Sequence, residues 1–328
     1  MIFPDFEPVP IQGGYREKGY WVWCGSAVEE PGAGYHLYAS RWPADYPMLQ
    51  GYILFSRIVH AFSPVMEGPY RYVEDVLPAS PAGSWDSGMA HNPTVLKYGD
   101  GYLMFYIATR FSGVLPTPEE LHGNHGIVSE PYSQIRIGLA RSPRPGGPWT
   151  VCPHPVLEAR PGKWDGSIVT NPAPCIAPDG RIFLYYRTNT PDGLRIGLAV
   201  AEVPEGPYER LEHPVMEDAN VEDPFTWHDG TNFNMVAKDM KGTLTGEVHA
   251  GAHFVSDNGM DWRYVGKAYS RKVKFDDGNE AVMGSLERPQ LLFASDGTPK
   301  ALFAATADGP GGFENAGNTW NLCIPFKR

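Results

Sequence analysis

Trp85-Asp86-Ser87-Gly88-Met89-Ala90-His91-Asn92-Pro93 and Trp164-Asp165-Gly166-Ser167-Ile168-Val169-Thr170-Asn171-Pro172 are two copies of one nine-residue phrase, each followed by an apolar run and an aromatic-rich segment. Such a phrase marks an internal repeat, and repeats of long period signal solenoids, propellers or arrays. Two shorter copies, Val221-Glu222-Asp223-Pro224 and Leu286-Glu287-Arg288-Pro289, again set polar or charged residues before a proline. Proline biases the residue before it towards extended backbone, so each phrase can open a strand.

Working outward from these heads, β-branched and aromatic runs cut by Gly and Pro predict further strands. The first unit holds Tyr20-Trp21-Val22-Trp23-Cys24-Gly25-Ser26-Ala27-Val28, Tyr35-His36-Leu37-Tyr38-Ala39-Ser40, a run from Tyr52 to Ala61, and Gly68-Pro69-Tyr70-Arg71-Tyr72. The second and third share a strand, Arg136-Ile137-Gly138-Leu139-Ala140 and Arg195-Ile196-Gly197-Leu198-Ala199, and each ends in a Gly-Pro-aromatic turn, at Trp149 and Tyr208. The fourth runs from Asp223 to Tyr264. The fifth, from Pro289 to Ile324, shows only three strands, and residues 6–11 are the candidate for its fourth.

Five units of four strands, at a period of about 50 to 80 residues, predict an all-β five-bladed propeller forming a single domain over residues 1–328. A two-sheet sandwich is the alternative, but it does not require four matched strands per repeat. Composition agrees: 37 Gly, 32 Pro and 12% aromatics suit many short strands joined by turns. The formal net charge of −11 argues against nucleic-acid or anionic-membrane partners, which need clustered Lys and Arg. Four scattered cysteines without a CxxC pair suggest free thiols rather than zinc or a disulfide framework. No stretch has the length of a membrane span, and the N-terminus lacks the features of a signal peptide, so the expected compartment is the cytoplasm unless a leader was removed.

In a propeller the first strand of each blade lines the central channel, so equivalent positions converge. Asn92, Asn171, Asp223 and Arg288 would then meet at one mouth, with Glu222 and Glu287 beside them. Charges grouped in this way are costly unless paired or used, which favours a polar ligand site. Either asparagine alone could equally be a hydrogen bonder at a strand start. The insertions at 110–133 and 269–284 are candidate rim loops over such a site.

The repeat plan, its Glu-Asp-Pro and Glu-Arg-Pro heads, and Ser256-Asp257-Asn258-Gly259-Met260-Asp261-Trp262 together resemble the five-bladed propeller glycoside hydrolases, the superfamily of families 43, 62, 32, 68, 117 and 130. Within it the chain is most like a branch carrying the sucrase name or family 117. The resemblance covers essentially the whole chain as a repeat pattern. It implies three acidic groups on different blades, serving as nucleophile or base, orienting carboxylate and general acid. Asp223 fits the aspartate slot before proline, and Glu222 and Glu287 fit the general-acid slot two before proline. The first-blade slot is Cys24 and the next two are Asn92 and Asn171, so the usual base is missing. Asp86 or Asp165, or a histidine, must replace it, or hydrolysis is lost.

Glycoside cleavage needs one carboxyl kept protonated beside one kept ionised, and neighbouring carboxylates raise the pKa of one member. Lys238, Asp239 and His249 form a candidate rim cluster for sugar hydroxyls, with His249 an alternative proton donor; an exposed ion pair is the plainer reading. His91 precedes Asn92 and by strand alternation should face away, yet it is the best-placed histidine for a funnel site. Trp23 offers a platform for a sugar ring, although blade packing is a common fate for such a residue.

The expectation is a glycoside hydrolase, exo-acting on a small oligosaccharide. Glu222, Asp223 and Glu287 are its candidate catalytic carboxylates, and His91, Asn92, Asn171, Arg288, Lys238, Asp239, His249 and Trp23 are candidates to bind hydroxyls or a uronate. Alternatives are a non-catalytic carbohydrate-binding propeller, or a polysaccharide lyase using His and Tyr on a uronate. No spacing demands a cofactor, and a structural calcium on the axis is compatible with the fold.

Overall fold

The computed structural model describes residues 3, 5–77 and 80–327. It is a five-bladed β-propeller. Blade 1 comprises Tyr20–Glu30, Gly34–Pro43, Arg57–Ser63 and Arg71–Asp75, and blade 2 comprises Ala90–Tyr98, Gly101–Ala108, Arg136–Ser142 and Thr150–Val151. Blade 3 is Thr170–Ile176, Ile182–Thr190, Gly193–Ala201 and Glu209–Arg210; blade 4 is Val221–His228, Phe233–Asp239, Gly251–Ser256 and Arg263–Tyr269. Blade 5 has three strands, Ser285–Phe293, Pro299–Ala307 and Thr319–Pro325. Pairing within every blade is antiparallel. The first strands contact one another in turn around an axis, and blade 5 closes against blade 1.

The expected fourth strand of blade 5 is replaced by isolated bridges. Phe6 pairs with Phe326 and Tyr15 with Asn321, while Val9 pairs with Phe275. The N-terminal segment thus ties the last blade down at separated points. Phe6 and Phe326 stack at 4.9 Å, and Tyr15 is fully buried.

The repeated Trp-Asp phrase is a packing device. Trp85 lies beside Tyr106 (ring centroids 6.1 Å apart) and Trp164 beside Tyr186 (6.4 Å). Each tyrosine covers a glycine of the next strand: a Cβ at Gly138 would stand 2.7 Å from the Tyr106 ring, and one at Gly197 2.4 Å from Tyr186. This explains why Arg-Ile-Gly-Leu-Ala recurs, because any larger residue would displace the ring.

One expected strand divides. The run from Tyr52 to Ala61 begins as the end of a helix, Met48–Phe55, and becomes strand only from Arg57. Apolar runs of this length fit a buried helix as well as a strand. Here Gly51 lets the helix approach Tyr46 and Trp42, and Ser56 turns the chain back to extended backbone. The insertion at 110–133 forms the short helices Pro118–Gly123 and Ser129–Ser133. The insertion at 269–284 forms a separate hairpin, Lys272–Lys274 with Glu280–Val282. Among the described residues no helix is long and apolar enough to cross a membrane.

Candidate active site

Five residues at the heads of the five first strands share one backbone conformation. Cys24, Asn92, Asn171, Asp223 and Arg288 have φ of 45°, 54°, 53°, 56° and 54°, the left-handed region that non-glycine residues rarely enter. In each blade the pairing register slips at this residue, so each is a bulge. The bulge breaks side-chain alternation: in blades 2 to 5 both the left-handed residue and its predecessor line one axial cavity of about 500 Å³. His91 therefore faces the cavity together with Asn92, contrary to the alternation expected from sequence. Non-glycine residues held in this strained region cluster at functional sites.

The ring of five is joined by hydrogen bonds that run in one direction. The Cys24 thiol donates to Asn92 Oδ1, Asn92 Nδ2 donates to Asn171 Oδ1 (3.1 Å), and Asn171 Nδ2 donates to Asp223 Oδ1 (2.5 Å). From the other side the Arg288 backbone amide donates to Asp223 Oδ2 (3.3 Å). Asp223 is the acceptor on which the ring ends.

The preceding residues form a second tier: Trp23, His91, Thr170, Glu222 and Glu287. Behind it the Lys238 ammonium, 2% exposed, sits among three carboxylates, 2.8 Å from Glu222, 2.9 Å from Glu287 and 3.5 Å from Asp223. Arg187 reaches Glu222 through two nitrogens, at 2.8 and 3.1 Å. Burial opposes the charge on Glu222, but Lys238 and Arg187 outweigh it and hold the carboxyl near 2. Glu287 is displaced upward: burial dominates, and Asp223 and Glu222 add to it against the pull of Lys238. Burial also opposes the charge on Lys238, yet Glu222, Glu287 and Asp223 keep it protonated. One carboxyl of the pair is thus held ionised and the other is inclined to keep its proton.

His91 is buried and pushed well below its ordinary value, by burial and then by Arg288. Ser56 Oγ stands 2.8 Å from His91 Nδ1 and 3.3 Å from the Ala90 carbonyl; when its proton goes to the carbonyl, Nδ1–H donates to Ser56. Nε2 lies 3.8 Å from the Cys24 sulfur, whose proton is given to Asn92. In that tautomer the imidazole presents a lone pair beside the blade 1 head. Burial pushes the Cys24 thiol itself up to about 12.

Four sequence candidates stand away from the cavity. Asp165 is fully buried between Arg160 (2.8 Å), Arg210 (3.1 Å) and the Tyr186 hydroxyl (2.6 Å), an ion cluster that braces the edge of blade 3. Asp86 is half-buried in the loop before blade 2 and does not line the cavity. Neither is placed to act as base, because both follow the tryptophan that packs the blade. Asp239 accepts backbone amides from Gly242, Leu244 and Thr245 and shapes the turn after blade 4's second strand. His249 ends that turn with φ 65°, half-buried, near Lys238 but off the cavity lining.

Several lining residues were not singled out from sequence. Arg187 occupies the position in blade 3 that Lys238 occupies in blade 4, each opposite the residue before the bulge, so the repeat itself carried that signal. One wall comes from Met48–Phe55 and from His125, Val128 and Tyr132 of the 110–133 insertion, with Trp42 and Phe313. Among the described residues no group of His, Cys, Asp and Glu is arranged to hold a metal ion. An ammonium occupies the point where Glu222, Asp223 and Glu287 converge.

No protein-family model and no curated protein matches the sequence. Solved structures do match. Zg3597, a family 117 glycoside hydrolase from Zobellia galactanivorans, superposes with a TM-score of 0.67 at 15% identity, covering 99% of this chain and 90% of that one. The catalytic domain of the Coprinopsis cinerea GH62 α-L-arabinofuranosidase gives 0.66 at 13%, covering 99% and 97%. A BT0996 complex with an RGII chain gives 0.69 at 13%, covering 99% and 92%. The chain has the fold of the five-bladed propeller glycoside hydrolases. Within that propeller fold, the strand heads picked out by the repeated prolines are four of the five residues that encircle the axis, Cys24 being the fifth.

Proposed function

We propose that this propeller is a glycoside hydrolase that removes a terminal sugar from a small oligosaccharide in the axial cavity. The observation that carries the reading is the convergence of Glu222, Asp223 and Glu287 on Lys238, with one carboxyl held ionised and another shifted towards its acid form. Glu287 serves as general acid and protonates the leaving oxygen. Glu222, with both oxygens engaged by Arg187 and Lys238, is a fixed negative charge beside the developing oxocarbenium ion. Asp223, fixed by the ring, orients the sugar. His91 Nε2, beside the blade 1 head where the resembling enzymes carry an acidic base, takes the proton of the attacking water. Lys238 and Arg187 hold the carboxylates, Asn92 and Asn171 present amides to hydroxyls, and Trp23 offers an indole face.

A cavity of about 500 Å³ lies within the small-ligand range and suits a saccharide of one or two residues. The fit to an oligosaccharide substrate is supported by the related fold found in complex with RGII. The test is turnover of plant or algal oligosaccharides by wild type, E287Q and H91Q, read as released reducing sugar. Loss of turnover in both folded variants is expected. Wild-type activity that survives in E287Q would remove Glu287 as the acid, and a product absorbing near the ultraviolet edge would point to elimination instead.

One observation favours a second reading, a carbohydrate-binding propeller without turnover. The blade 1 head is Cys24, a thiol pushed up to about 12, and the next two heads are amides, so three of five axial groups cannot exchange protons near neutral pH. Binding without release of any product would select it.

A further inference from the structure

Arg288 is 3% exposed, lines the cavity, and has no hydrogen-bond partner on Nε, Nη1 or Nη2. A guanidinium cannot shed its charge, so burial leaves it without the escape open to a lysine or histidine. The other two cations of the site are fully engaged: Arg187 by Glu222 and Asn189, Lys238 by three carboxylates. The carboxylate within ion-pair distance of Arg288 is Asp223, with Nη1 3.5 Å from Oδ1, outside hydrogen-bond geometry, and that oxygen already accepts from Asn171. Glu222, Asp223 and Glu287 all converge on Lys238, and the Arg288 guanidinium is left without a hydrogen-bonded anion. On its other flank Arg288 meets the blade 1 and blade 2 heads, Cys24 and His91, both uncharged near neutral pH. His91 lines the cavity together with Arg288, so an anion entering it can meet the guanidinium beside an uncharged imidazole.

We propose that the saccharide bound in this cavity is acidic, and that its carboxylate is received by the Arg288 guanidinium on the neutral side of the ring. A planar carboxylate matches the guanidinium fork through two parallel hydrogen bonds, which a lone sugar hydroxyl cannot do. The remainder of the sugar then lies towards Glu222 and Glu287, with Trp23 available to its apolar face. The proposal rests on the cavity being a saccharide site and names the class of sugar it takes.

The test is calorimetric titration of the intact protein, near neutral pH, with D-galacturonate and D-glucuronate against D-galactose and D-glucose, and with galactose 6-sulfate as a separate arm. Charge-assisted hydrogen bonds predict that at least one uronate binds roughly tenfold to a hundredfold more tightly than its neutral counterpart. The preference should shrink with added salt, fall in R288K and vanish in R288Q, with near-ultraviolet circular dichroism confirming the fold of each variant. Equal binding of acidic and neutral sugars, no uronate binding, or a preference that survives in R288Q would each overturn the proposal. Binding of the sulfated sugar without either uronate would overturn the carboxylate assignment. Uronate binding without any hydrolysis would sink the hydrolase reading alone, and hydrolysis of neutral glycosides without uronate binding would sink this inference alone.

Discussion

Glu222 and Glu287 touch the same ammonium, which favours the charged form of both, and yet their net shifts are opposite. Glu222 also has Arg187, so its folded-state value lies near 2 against an ordinary 4.5. Its contribution to stability is fully present above pH 4.5 and is lost as pH falls towards 2. Glu287 is shifted upward, so its carboxyl favours the folded state below its ordinary value and costs stability as pH rises through the raised one. E222Q should therefore destabilise the protein at neutral pH by about 3–5 kcal/mol, the cost of breaking a buried ion cluster. E287Q should cost far less, because a neutral side chain already suits its place. Thermal melts of both variants from pH 3 to pH 8 check this, and a less stable E287Q would contradict it. Asn171 offers a second test: N171A removes the Asp223 donor and should cost about 1–3 kcal/mol in denaturant titration.

At the scale of the strand, the shared device is the left-handed bulge, followed by a proline in blades 2 to 5. Asn92 and Asn171 tolerate this conformation better than β-branched residues, because a short polar side chain can bond locally. N92G should preserve the bulge and lose only its hydrogen bonds, whereas N92V should cost roughly 1–3 kcal/mol more, measured by equilibrium unfolding. The heads were legible because proline and a polar neighbour recur at fixed intervals. The bulge was not, since strand alternation alone directs His91 and Asn92 to opposite faces. Trp85 and Trp164 show the converse. Their phrase was the clearest signal in the chain, yet its aspartates serve blade packing, because tryptophan on tyrosine over glycine repeats as faithfully as any site. The helix Met48–Phe55 escaped notice because an apolar run records burial and not backbone conformation.

For the whole molecule, closure depends on the N-terminal segment. Tyr15 pairs with Asn321 through two backbone hydrogen bonds and is buried against the last blade, while Phe6 stacks on Phe326. Removal of residues 1–16 should lower the melting temperature by many degrees, since loss of a single buried aromatic side chain costs about 3–5 kcal/mol. A truncated chain melting like the full one would show that blade 5 closes without it. The five-fold plan could be read from the sequence because each blade repeats its punctuation. The charge balance at the axis could not, because Arg187, Lys238 and Arg288 come from three blades and only the closed ring brings them together.

The proposed hydrolase stands on one step, the delivery of a proton by Glu287 to a glycosidic oxygen in the axial cavity. Its most direct test compares wild type and E287Q on a substrate turned over by wild type, once with the natural leaving group and once with an aryl leaving group that needs little protonation. The expected result for E287Q is loss of activity on the natural glycoside and substantially retained bond cleavage on the aryl glycoside. Equal loss on both substrates, or retained activity on the natural one, would contradict it.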